Sequence, residues 1–98
     1  GVQQVNNKIP KEYKLEQNFP NPFNPRTVIP FKLKSRAYVK LIAYDVLGRE
    51  IQRMVDQKQE PGEYRVDFMG KFTASGVYLY SLIIDNKLID TKKMILVK

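Results

Sequence analysis

The chain has 98 residues, no cysteine, no histidine and a formal net charge of +7, from 17 basic and 10 acidic residues. That length suits one domain and buries roughly 65% of its unfolded surface, enough for one modest core. The missing residue types exclude disulfide staples, thiolate or imidazole metal sites, His-based nucleophilic triads and an imidazole pH switch; any catalysis would rest on carboxylates, Lys or Tyr.

Residues 1–12 are polar and follow neither helical nor strand period. With Asn6, Asn7 and Pro10 they read as a linker, and they lack the apolar core of a signal peptide. Gly1 in place of Met is expected of a segment cut from a longer chain. No apolar run approaches the roughly 20 residues of a membrane helix.

From Tyr13 onward the apolar residues recur with period two, the strand signature. The first feature is the stretch "NFPNPFNP" at 18–25, where Pro20, Pro22 and Pro25 alternate with Asn18, Phe19, Asn21, Phe23 and Asn24. Proline fixes its own φ and biases the residue before it toward extended backbone. The unfolded segment therefore has little freedom to lose, and asparagine side chains add local turns. A rigid cap over one open end of the core is expected, with Phe19 and Phe23 plugged into it. A recognition surface is the sharper alternative.

"TVIPFKL" places Ile29, Phe31 and Leu33 on one side, and Pro30 on the other predicts an edge strand or an amide position turned away from a neighbour. "AYVKLIAYD" puts Val39, Leu41 and Ala43 on one face. "DVLGRE" is a hairpin turn around Gly48, with "EIQRMV" returning from it. Pro61 and Gly62 mark a second turn, and "EYRVDF" then alternates Tyr64, Val66 and Phe68. "MGKFTASG" is an irregular connection ending at Gly76. "VYLYSLII" is apolar on both faces and reads as a central, well-covered strand. "DNK" is a tight turn, and "LIDTKKMILVK" is a last strand running to Lys98.

About seven strands, turn signals every eight to twelve residues and no helix predict an all-β fold, an immunoglobulin-like β-sandwich of antiparallel strands with Greek-key connections. A small barrel is the alternative. Gly48, Gly62 and Gly76 are assigned to turns. Tyr44, Tyr64, Tyr78 and Tyr80 are expected in the core or at its rim, not in a glycan-stacking row. The scattered aspartates lack calcium-loop spacing, and no cofactor is expected. Basic residues gather at Arg26, Lys32, Lys34, Arg36, Lys40 and Arg49, and again at Lys87, Lys92, Lys93 and Lys98. Such patches can attract nucleic acid, anionic lipid or acidic glycans; the reading preferred is that they fill the solvent faces of strands and blunt edges, and no nucleic-acid partner is expected.

"YKLEQNFPNPFNPRTVIPFKL", followed in order by "VKLIAYDVLGREI", "PGEYRVDF", "ASGVYLYSLI" and "TKKMILVK", resembles the type A C-terminal sorting domain of the type IX secretion system. The likeness covers residues 13–98 and departs at Arg26 and Pro30. It implies a non-catalytic signal that directs its parent protein from the periplasm across the outer membrane, to the medium or the cell surface. The implied partners are an outer-membrane translocon, a sortase-like protease that cuts ahead of the folded domain and exchanges it for a surface anchor, and a covalently linked upstream cargo. The family's terminal motif falls on Lys93, Met94, Ile95, Leu96, Val97 and Lys98, an apolar strand bounded by cations that a partner could read by β-augmentation. Its proline-loop motif falls on Asn18, Pro20, Asn21, Pro22, Phe23, Asn24 and Pro25. The immunoglobulin-like domain of flagellar hook-capping proteins is similar over the middle of the chain only. The alternatives are an accessory carbohydrate-binding module, or a stabilising or weakly homodimerising module built on an open strand edge.

Overall fold

The computed structural model describes residues 1–6, 8–70 and 73–98. Among these, eight strands form two four-stranded antiparallel sheets, with no helix. The strands are β1 (Val2–Asn6), β2 (Lys14–Leu15), β3 (Arg26–Leu33), β4 (Ala37–Tyr44), β5 (Glu50–Gln59), β6 (Gly62–Met69), β7 (Gly76–Ile84) and β8 (Lys87–Leu96). One sheet has the order β1-β6-β3-β2, the other β5-β4-β7-β8. The chain changes sheet after β3, β5 and β6, and β6 returns beside β3, as a Greek-key path does. The expected immunoglobulin-like sandwich is what forms.

Period two decides the core. Ile29, Phe31 and Leu33 of β3 and Tyr64, Val66 and Phe68 of β6 are buried on one inner face. Val39, Leu41 and Ala43 of β4 meet them from the other sheet, with Tyr80 and Leu82 of β7. Phe31 stacks on Tyr64 with ring centroids 5.2 Å apart. Two sheet crossings carry the same pin. The Tyr64 hydroxyl donates to the Glu60 carbonyl at 2.6 Å, and the Tyr78 hydroxyl donates to the Ala74 carbonyl. Each ring sits in the core while its hydroxyl ties down the incoming corner, the role of a tyrosine corner.

The turns follow their residues. Gly48 takes φ 83° in the β4–β5 hairpin. Asp45 organises that hairpin by accepting the Leu47 and Arg49 amides through Oδ1 and the Arg49 side chain through Oδ2. These bonds, the Arg49 amide foremost, hold its carboxyl below the usual carboxylate range. Asp85 and Asn86, both at positive φ, turn β7 into β8.

Several expectations need correction. The stretch read as a linker begins with a strand, since β1 pairs antiparallel with β6 from Val2 opposite Val66 to Asn6 opposite Glu63, with a register break on the way. Only Val2 of that strand is even partly buried, so no hydrophobic alternation marked it. Asn7 of that stretch, and Lys71 and Phe72 of the irregular connection, lie outside the described residues. The second turn is confined to Glu60 and Pro61, because β5 runs to Gln59 and β6 starts at Gly62. Strand β7 is central, between β4 and β8, but covered on one face only; Val77, Leu79 and Ile83 lie on the outer face, and Val77 is 38% exposed. Tyr44 is likewise half-buried on that outer face rather than in the core. Pro30 is not on an edge. Its carbonyl accepts the Glu16 amide at 3.0 Å, so its missing donor faces the thin flank where the two-residue β2 has just ended.

Candidate functional site

Residues 14–19 run along the outer edge of β3. Lys14 and Leu15 pair with Lys32 and Phe31, and Phe19 exchanges two backbone bonds with Val28, each 2.9 Å. The chain then leaves this sheet, and the proline loop crosses the open side of the sandwich to the other one.

The crossing is anchored by a buried amide. Asn18 is 2% exposed. Its Nδ2 donates to Thr27 Oγ1 at 3.0 Å and to the Pro20 carbonyl at 3.2 Å, and its Oδ1 accepts Gln17 Nε2 at 2.6 Å. The Asn18 backbone amide donates to the Tyr80 hydroxyl at 2.8 Å, which in turn donates to the Glu16 carbonyl at 2.8 Å. The Asn18 side chain, the Thr27 hydroxyl and the Tyr80 hydroxyl all have partners, which is what makes a buried polar network stabilising. Burial, outweighing the Asn18 amide bond, pushes the Tyr80 hydroxyl up to about 12.

Beyond the anchor, the loop straps the C-terminal strand. Gln17 Nε2 donates to the Lys93 carbonyl at 2.7 Å, and Asn21 Oδ1 accepts the Ile95 amide at 2.9 Å. The Phe23 amide donates to the Ile95 carbonyl, and the Phe23 carbonyl accepts the Val97 amide, each at 2.9 Å. Phe23 therefore acts as a one-residue parallel strand on the free edge of β8. Its ring, 2% exposed, meets Phe68 edge-on at 5.9 Å.

The two motifs singled out from sequence are thus one structural unit. Two details differ from the expectation. Phe23 plugs the core, but Phe19 does not; it is 47% exposed on the outer face of its sheet, with the Arg65 guanidinium 5.6 Å from its ring. Strand β8 stops at Leu96, and the edge over 93–97 that a partner would pair with by β-augmentation is occupied by the strap. Met94 and Leu96 point into the core, while Lys93, Ile95 and Val97 remain at least partly accessible. The Lys98 amide donates to Ser75 Oγ at 2.9 Å.

Of the glycines expected in turns, Gly48 lies between β4 and β5, Gly62 is the first residue of β6, and Gly76, the first of β7, stands directly opposite Leu96. The glycine that matters most at the junction is one the sequence reading passed over. A Cβ on Gly70 would lie 2.9 Å from Leu96 Cδ2 and 3.5 Å from Phe23 Cε2, and its amide donates to the Pro25 carbonyl at 2.7 Å. Thr27 and Gln17 were also missed, since neither carries a motif by itself.

Among the described residues no group of three or more acidic side chains is placed to hold a metal ion. Tyr64, Tyr78 and Tyr80 are buried and form no exposed aromatic row.

In this all-β sandwich the proline loop is bonded to the last strand. Residues 17–98 match the model of the secretion system C-terminal sorting domain, and the chain belongs to that family, the sorting signals of type IX secretion. Such a domain is a signal for export, which places its parent protein outside the cell or on its surface. Members of the family are in general non-catalytic. No curated protein and no solved structure matches the chain.

Proposed function

We propose that this chain is a non-catalytic address for a cargo joined ahead of it, and that residues 93–98 are the part the outer-membrane translocon reads. The strap from Asn18 to Pro25 is their support. One observation carries the reading: Phe23 bonds to both Ile95 and Val97, so the two motifs form one folded element. A terminal strand held on both edges shows a partner a fixed set of side chains, which lowers the ordering cost of recognition. A sortase-like protease then acts ahead of Lys14, where Lys8, Ile9, Lys11 and Glu12 are exposed between β1 and β2.

The test is a fusion of residues 1–98 to a periplasm-directed reporter in a host with a type IX system. The reporter should cross the outer membrane, and removal of residues 93–98 should stop it. A reporter held in the periplasm by the intact fusion rejects the proposal.

A further inference from the structure

The strap decides how the terminal motif can be read. Backbone pairing is closed at 93–97, and Met94 and Leu96 are consumed by the core. What the motif offers outward is its alternate side chains, and these continue a row on the neighbouring strand. Ile95 lies opposite Val77, and Lys93 lies opposite Leu79. Further along, Ile83 lies opposite Lys40 of β4, and Ile42 fills the floor beside Ser81.

The charges on this face are uneven. Its two carboxylates on β5, Glu50 and Asp56, are both tied by Arg53, at 2.9 and 3.1 Å. Among the described residues Lys40, Lys58 and Lys93 make no ion pair. The outer face of the other sheet is mixed in sign, with Glu63 and Asp67 beside Lys32 and Arg65. We infer that the outer face of β4, β7 and β8, centred on Val77, Leu79, Ile83 and Ile95, is a docking surface. Its occupant is a protein surface that presents apolar side chains bordered by carboxylates. The inference rests on the signal reading above and extends it beyond the terminal motif. A Ser81–Thr91 hydroxyl pair (2.7 Å) lies among these side chains, and the cations Lys40, Lys58 and Lys93 around them fit carboxylates at the border of a protein partner.

The test uses the same reporter fusion with Val77→Glu, beside Ile95, and Ile83→Glu, away from the terminal motif, which put carboxylates on the face while the sequence of residues 93–98 is unchanged. Each should cut export about tenfold, with melting of the purified chain within a few degrees of the parent, while Arg65→Glu on the opposite sheet should export normally. Lys40→Glu asks the same question by charge alone and should lower export while Lys40→Arg does not. If the folded Val77→Glu and Ile83→Glu fusions export like the parent while removal of residues 93–98 abolishes export, the docking face is wrong and the signal reading stands. If the truncated fusion still exports, both fall. Cosedimentation of the purified chain with anionic phosphatidylglycerol vesicles, abolished by Lys93→Glu, would reassign the face to lipid and overturn the protein partner.

Discussion

The side chain of Asn21 accepts the backbone amide of Ile95 at 2.9 Å, across 74 positions of sequence. This one bond stands where a neighbouring strand would otherwise supply a carbonyl. Asn21→Ala should cost about 1 kcal/mol, since the bond is solvent-exposed and water replaces part of it. Amide hydrogen exchange should show Ile95 losing protection while Tyr80 and Leu82, deep in the core, keep theirs. Equal loss at all three would mean the strap has no local role.

Phe23 contributes far more. Its ring is buried against Phe68, and truncation leaves a cavity beneath Leu96. Phe23→Ala should cost about 3–5 kcal/mol, a large share of a stability that is roughly 5–15 kcal/mol for a domain. Urea unfolding followed by tyrosine fluorescence would measure it. Phe19→Ala, at an exposed ring, should shift the midpoint little.

Gly70→Ala places a methyl 2.9 Å from Leu96 Cδ2. The flexible end of Leu96 must give way, and overpacking here should cost about 1–3 kcal/mol. Combined with Leu96→Val, the loss should be smaller than the sum of the two single effects, because they share a contact. Strict additivity would argue against the junction described. Gly48→Ala meets no steric neighbour, so its cost should come from the positive φ alone, about 1 kcal/mol.

Tyr80 supplies a pH dependence. Its folded value of about 12 lies above the ordinary 10.0. Stabilisation from the protonated hydroxyl is therefore complete below 10.0 and is lost as pH rises toward the folded value, because the unfolded chain ionises first. The melting temperature should fall more steeply over that window in the parent than in Tyr80→Phe. Below it, Tyr80→Phe should be the less stable of the two, having left the buried Asn18 amide without its acceptor.

Removal of residues 1–12 uncovers the edge of β6 from Glu63 to Val66. An open strand edge is a template for another strand. Sedimentation velocity should show the shortened chain self-associating as its concentration rises, while the full chain stays a single species.

The alternation of apolar and polar residues made six of the strands legible, and with them the two-sheet class. Turn chemistry made the hairpins at Gly48 and at Asp85–Asn86 legible. β1 was illegible because a strand held by backbone pairing, with little burial, leaves no period-two trace. The ordered motifs gave away the proline loop and the terminal strand separately. Their union was hidden because it runs through backbone atoms of Phe23, Ile95 and Val97, which any sequence possesses. Phe19 and Phe23 look alike in sequence, and only the sheet change between them sends one ring outward and the other in.

Phe23 is seated only where two distant stretches of chain meet, because its backbone partners are Ile95 and Val97 and its ring shares the space above Gly70 with Leu96. A molecule cleaved ahead of Ile95 loses the closure of the loop and that of the last strand at once, so the two stand or fall together.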